Sequence, residues 1–178
     1  MEALIIVDMT RDNLTGLMGE RAEKIIPVIN RLTDYFRKNN NLVIFANDSF
    51  LENDFLFKSK MTPHSLRWTD GEKVARSLTV KDSDIILPKR RFSAFFKTDL
   101  DQTLRTLNVN KVYVCGITSI FCVLATAFDS ICHDFYTVII DDATTAHKDE
   151  VHEQVMNFYR KNPLQPLFEI KSSSEIIK

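Results

Sequence analysis

Residues 111–131 read KVYVCGITSIFCVLATAFDSI. The run Lys111–Cys115 is apolar without alternation, which is the pattern of a strand covered on both faces. The stretch Ser119–Ile131 is apolar nearly all round, so it is expected to be a buried helix. Ser119 is the N-cap candidate, and that places Cys122 in the first helical turn. A strand that passes through Gly116 into a buried helix is the unit from which α/β sheets are built.

The same signal recurs on either side. Ala3–Val7, Leu42–Ala46, Asp84–Leu87 and Thr137–Ile140 are short runs rich in Val and Ile, and Leu167–Ile170 is a weaker sixth. Helical patterns lie between them. Pro27 is expected in the first turn of a helix whose apolar stripe is Val28, Ile29, Leu32, Tyr35 and Phe36. Leu100, Leu104 and Leu107 mark a second. Val151, Val155, Met156 and Tyr159 mark another, stopped by Asn162–Pro163. Strands alternating with helices predict a three-layer α/β domain over residues 1–178, with a six-stranded, mainly parallel sheet and helices on both faces. Asn47–Val80 is the least regular part and is expected to be a lid or binding loop.

The chain has 178 residues, enough for one domain with a sizeable core. Lys and Arg total 23 against 24 Asp and Glu, giving a net charge of -1 with the signs interspersed. That balance offers no electrostatic footprint for nucleic acid. No apolar stretch is long enough to cross a bilayer, and Met1–Asp8 lacks the basic and cleavage regions of a signal peptide. Cys115, Cys122 and Cys132 form neither a disulfide framework nor a zinc motif. A cytoplasmic location is expected.

In parallel α/β sheets, ligands bind at the carboxyl ends of the strands. Asp8, Lys89 and Gly116–Cys122 each follow an expected strand. Singly, each has an ordinary explanation: a strand-end turn, a surface lysine, a core cysteine. Together they supply the nucleophile, base and supporting cation that thiol catalysis requires. A thiol in the first turn of a helix is also expected to lean toward the thiolate.

Four stretches carry a resemblance that spans nearly the whole chain. LIIVDMTRDN with Asp8, LPKRRFSAFFKTDL with Lys89, VCGITSIFCVLATAFDS with Cys122, and VIIDDATTAHKDEVH with Asp142, Ala143 and His152 resemble the isochorismatase-like cysteine hydrolases. That family includes nicotinamidases, N-carbamoylsarcosine amidases and isochorismatases. The resemblance implies a Rossmann-like sheet, with Asp8, Lys89 and Cys122 catalytic. It implies an oxyanion hole from the N–H groups of Thr118 and Cys122, beside a cis peptide between Ile117 and Thr118. It also implies a homodimer or homotetramer.

Nicotinamidases of the family hold a metal with an Asp-x-His pair and a later histidine. This chain has Asp48 and His64, but Phe50 stands at the middle position, so no catalytic metal and no other cofactor is expected. The implied reaction is hydrolysis of a C–N bond in a small amide or carbamoyl substrate, most like that of N-carbamoylsarcosine amidase. A nicotinamidase or isochorismatase-type reaction is the alternative. Arg67, Arg90 and Arg91 are candidates for a substrate carboxylate, and Phe50 and Trp68 for the pocket wall. The rival of another class is a non-hydrolytic binder or redox thiol protein. For the redox case Cys115 or Cys132 would have to resolve Cys122. Cys132 lies about 15 Å along the helix.

Overall fold

The computed structural model of the chain describes residues 1–16 and 18–178. Six strands form one sheet: β1 (Glu2–Val7), β2 (Leu42–Asp48), β3 (Ile85–Lys89), β4 (Lys111–Ile117), β5 (Tyr136–Thr145) and β6 (Phe168–Lys171). Their order is β3-β2-β1-β4-β5-β6, and every neighbouring pair is parallel. The winding reverses between β1 and β4, and such a reversal opens a crevice at the carboxyl ends of those two strands.

Among the described residues there are five α-helices: α1 (Arg11–Thr15), α2 (Gly19–Lys38), α3 (Leu100–Thr106), α4 (Cys122–Cys132) and α5 (Asp149–Arg160). Side chains alternate across a strand, so each strand feeds two cores. Leu4, Ile6, Phe45, Tyr113 and Cys115 pack with Ile25, Ile29, Leu32 and Phe36 of α2 on one face. Ala3, Ile5, Val7, Ile44 and Val114 pack with Leu100 and Leu104 of α3, Val123 and Ala127 of α4, and Met156 of α5 on the other. Each such Leu or Ile contributes about 1.5–3 kcal/mol by leaving water.

Several local expectations are corrected. The strands run further at their carboxyl ends than the apolar runs do, because parallel pairing continues through Asn47↔Pro88 and Asp48↔Lys89. Lys89 and Asp48 are therefore the last residues of β3 and β2 rather than loop residues after them. Pro27 lies inside α2, which starts at Gly19. The buried stripe already begins at Ala22, Ile25 and Ile26, and that packing outweighs the one backbone bond a proline removes. α4 begins at Cys122 with Phe121 at the N-cap, so Ser119 is not the cap. Ser119 is buried in the preceding turn, its N–H donating to the Thr145 carbonyl at 2.9 Å. α4 is also only half-buried: Val123, Thr126, Ala127 and Ser130 point inward, while Leu124, Phe128 and Ile131 keep partial exposure.

Residues 49–84 carry a single-turn 3-10 helix, Phe55–Lys58, and isolated bridges such as Phe50 to Leu66. Where β4 passes β1, Gly116 adopts φ +107, and a Cβ there would meet the Val7 carbonyl oxygen at 2.2 Å.

Candidate active site

Asp8 follows β1 in the left-handed region (φ 55), a conformation Asp tolerates better than most residues. The local chain fixes it from three directions. Its N–H donates to the Ala46 carbonyl at 3.0 Å, its carbonyl accepts from Asn13 Nδ2 at 2.8 Å, and its Oδ1 accepts from the Asp48 N–H at 2.7 Å. Lys89 reaches in from the end of β3, two strands away, and is buried. Its Nζ lies 2.8 Å from Asp8 Oδ2 and 2.6 Å from Asp48 Oδ1, and donates to the Arg91 carbonyl at 3.1 Å. Cys122 comes from the first position of α4, at the other side of the switch point. Its Sγ and a carboxylate oxygen from each of Asp8 and Asp48 lie within 4.8 Å of one another. The Asp8 Oδ2–Lys89 contact is off hydrogen-bonding angle, so Oδ2 keeps a buried lone pair without a donor.

Burial sets the proton affinities. Burial, then the like charge of Asp48, pushes Asp8 up to about 7 against the pull of Lys89. Burial also acts upward on Asp48, but Lys89 and His64 outweigh it and hold Asp48 below the usual carboxylate range. For Lys89, burial would favour the neutral amine, and the two carboxylates overcome it, so the ammonium is firmly held. Burial raises the Cys122 thiol well above its ordinary value. The expected lean toward thiolate is thus corrected: burial and two nearby carboxylates outweigh Lys89 and the helix end, and Cys122 rests as a thiol.

The turn before α4 joins this cluster. The Ile117–Thr118 peptide bond is cis. Phe121 N–H and Val123 N–H donate to the Thr118 carbonyl at 3.1 and 3.2 Å, and among the described residues the N–H groups of Thr118 and Cys122 make no such turn bond. A cleft of about 660 Å³ opens over the cluster. Its lining includes Asp8, Phe50, Phe92, Phe121, Cys122 and, as polar groups, Asn13, Lys60, His64 and His147.

Phe50 therefore stands where a pocket wall was expected. Trp68 does not: it is 85% exposed and outside the cleft lining. Arg67, Arg90 and Arg91 also lie outside it, around a second cavity. Asn13, Phe92, Phe121 and His147 went unread in the sequence. Only the Phe92 and Phe121 positions, flanking Lys89 and Cys122 in the chain, carried a signal that could have found them.

Asp48 and His64 do not make a metal centre with what surrounds them. His64 Nδ1 donates to the Thr62 carbonyl at 2.8 Å, and Nε2 stays 3.9 Å from Asp48 Oδ2. The Phe50 ring packs edge-on against His64 at 5.5 Å between centroids, giving a hydrocarbon where a third donor would be required. The tighter set, Asp8, Asp48 and Cys122, already has the Lys89 ammonium on both carboxylates. The donor set suits a lysine rather than a metal ion. The cysteines do not suggest a dithiol: Cys115 belongs to the core facing α2, Cys122 packs against the opposite core, and Cys132 is at the far end of α4.

Fold and site together define a doubly wound α/β domain with an Asp–Lys–Cys cluster at its switch point. A family model, the isochorismatase domain, matches residues 2–167, and the chain belongs to the isochorismatase family. The uncharacterized isochorismatase family protein YwoC of Bacillus subtilis (strain 168) is 29% identical over 163 residues, covering 88% of this chain and 84% of its own. The crystal structure of N-carbamoylsarcosine amidase from Thermoplasma acidophilum is similar over 99% of both chains, with a TM-score of 0.87 and 26% identity. That of the pyrazinamidase of Pyrococcus horikoshii in complex with zinc covers 96% of this chain and 98% of its own, with a TM-score of 0.85 and 28% identity. Among the described residues no helix is long and apolar enough to cross a membrane.

Proposed function

We propose that this protein is a metal-independent thiol hydrolase that cleaves the C–N bond of a small amide or carbamoyl compound, in the manner of an N-carbamoylsarcosine amidase. The observation that carries the reading is that Asp8 and Cys122 line one cleft, with Lys89 held against Asp8 from behind it and a lone pair of Asp8 left without a donor beside a thiol whose proton affinity is raised. The similarity to amidases of known structure supports the reaction class. The lysine-filled carboxylate pair supports the metal-independent form over the nicotinamidase alternative.

In this reading Asp8, with an affinity near neutrality, takes the proton of Cys122 as the sulfur attacks the substrate carbonyl carbon. The S–C bond forms, and the carbonyl electron pair moves to oxygen. The N–H groups of Thr118 and Cys122 receive that oxyanion. Collapse breaks the C–N bond, and the nitrogen leaves with the proton Asp8 carried, as ammonia or an amine. Water then adds to the thioester, giving its proton to Asp8, and departure of the acid regenerates the thiol. Lys89 stays protonated throughout and keeps Asp48 and Asp8 in place. Phe50, Phe92 and Phe121 form the substrate wall. The reading includes a homodimer or homotetramer in the cytoplasm, which light scattering and cell fractionation test.

The decisive assay follows ammonia release from N-carbamoylsarcosine, other N-carbamoyl amino acids, nicotinamide and aliphatic amides, for wild type and Cys122→Ala, with and without chelator. The expected result is turnover of a carbamoyl compound that is indifferent to chelator and falls by about 10⁴-fold or more in the variant. Activity removed by chelation, or retained by folded Cys122→Ala, overturns the proposal.

A further inference from the structure

A second cavity, about 400 Å³, sits at the carboxyl end of β3 and, among the described residues, shares no lining residue with the cleft. Arg67, Arg90, Arg91 and Lys97 line it, together with Lys89 and the half-exposed ring of Phe96. The chain as a whole is nearly neutral, so five cationic side chains around one small cavity are a strong local excess.

The guanidinium groups are anchored, not loose. Asp54, almost wholly buried, holds Arg90 through Nε at 3.0 Å and through Nη2, and accepts from Arg91 Nη1 at 3.4 Å. Arg67 Nε donates to Ser49 Oγ at 2.9 Å. Each anchor uses one edge of its guanidinium. Both Nη groups of Arg67, Nη1 of Arg90 and Nη2 of Arg91 have no protein partner among the described residues. The nearby carboxylates are already engaged. Asp54 has the two arginines, Asp8 and Asp48 have Lys89, and Glu72 accepts from Ser49 Oγ and the Trp68 N–H.

We propose that this cavity binds a phosphate-bearing small ligand at a site separate from the cleft, with Arg67, Arg90 and Arg91 as its contacts. Planar guanidinium forks with free N–H edges match phosphate oxygens two at a time. Three of them around one space suit a polyanion better than a single carboxylate, which one fork satisfies. The volume lies in the range of small-ligand pockets, and the Phe96 ring offers a face for a ring carried by the phosphate. The site is also wired to the cleft. Lys89 Nζ donates to the Arg91 carbonyl at 3.1 Å, and Ser49, which anchors Arg67, donates its N–H to the Lys89 carbonyl at 2.8 Å. A ligand that shifts Arg67 or Arg91 acts on the lysine shared by Asp8 and Asp48.

Isothermal calorimetry on the full-length protein with inorganic pyrophosphate, at about 0.15 M salt to screen diffuse attraction, tests this. The expected result is saturable one-to-one binding, weakened about tenfold in Arg67→Gln and in Arg91→Gln. In the exposed Lys97→Gln, which should fold unchanged, the weakening is about threefold. A nucleoside triphosphate that binds more tightly than pyrophosphate, with the gain lost in Phe96→Ala, identifies a nucleotide. Equal affinity identifies a simpler phosphate ester. No saturable heat, or affinity unchanged in all three cationic variants, overturns the proposal. The outcome is independent of whether Cys122 turns over a substrate.

Discussion

The cleft beyond β1 and β4 and the basic cavity beyond β3 are linked through Lys89, which lines the second and pairs with the carboxylates of the first, and they use the same kinds of side chain to opposite effect. At the base of the cleft, one ammonium and two carboxylates are buried against each other beside a half-buried thiol. One ammonium serves two carboxylates, and the proton affinities are displaced: Asp8 upward, Asp48 downward, Cys122 upward. In the basic cavity the cations are partly solvated, outnumber their carboxylates and keep unpaired N–H edges. Burial converts charge into chemistry, because a buried group must find its partner inside the protein and responds steeply to each neighbour. Partial exposure converts charge into recognition, because water holds the cation until an anion replaces it.

Removing one charge from each region should separate them sharply. Lys89→Met leaves Asp8 and Asp48 buried side by side without their cation, and a loss of about 3–5 kcal/mol in urea unfolding is expected. A loss below about 1 kcal/mol would mean that water reaches the carboxylates and that the contrast with the basic cavity is false.

The pH profile sharpens the same contrast. Asp8 must be ionised to accept the thiol proton, and its affinity is raised from 3.8 to about 7. The acid limb of kcat/KM should therefore fall at about pH 7, activity being lost as pH drops below it. Asp48→Asn removes the neighbouring negative charge that helps raise Asp8, so the limb should move to lower pH. A limb at an ordinary carboxylate pH in wild type would sink the assignment of Asp8 as a buried base. For stability the sign is reversed. A folded affinity above the unfolded one favours folding below pH 3.8, and that contribution is lost as pH rises through about 7.

The smallest effect belongs to the basic cavity. Arg90→Gln keeps Arg91 on Asp54 and removes a partly exposed ion pair, so thermal and urea unfolding should change by no more than about 1 kcal/mol. A larger loss would show that Asp54 and Arg90 hold up the fold rather than wait for a ligand.

The sheet was legible because strands buried on both faces leave unbroken apolar runs such as Ala3–Val7 and Lys111–Cys115. The three-residue cluster was legible through motif resemblance and strand-end position. The partner of Lys89 was not. Along the chain Asp48 reads as half of a metal pair with His64, and only the register Asp48↔Lys89 puts carboxylate and ammonium together. The Ser119 cap failed for a related reason. A hydroxyl at suitable spacing marks a helix start, but the tight turn at Thr118 delays the helix to Cys122 and turns Ser119 inward. Arg90 and Arg91 adjoin Lys89 in sequence, yet Asp54, from a segment without periodicity, draws them out of the cleft.

Gly116 gives the cluster a dimension that no polar contact supplies. Its missing carbon lets β4 lie against the Val7 carbonyl, where Val7 stands one residue before Asp8 and Gly116 six before Cys122. The gap between sulfur and carboxylate is thus gauged by an absence. A methyl group inserted there would wedge the two central strands apart and lengthen the path a proton must travel, with every polar residue of the cleft still in its place in the chain.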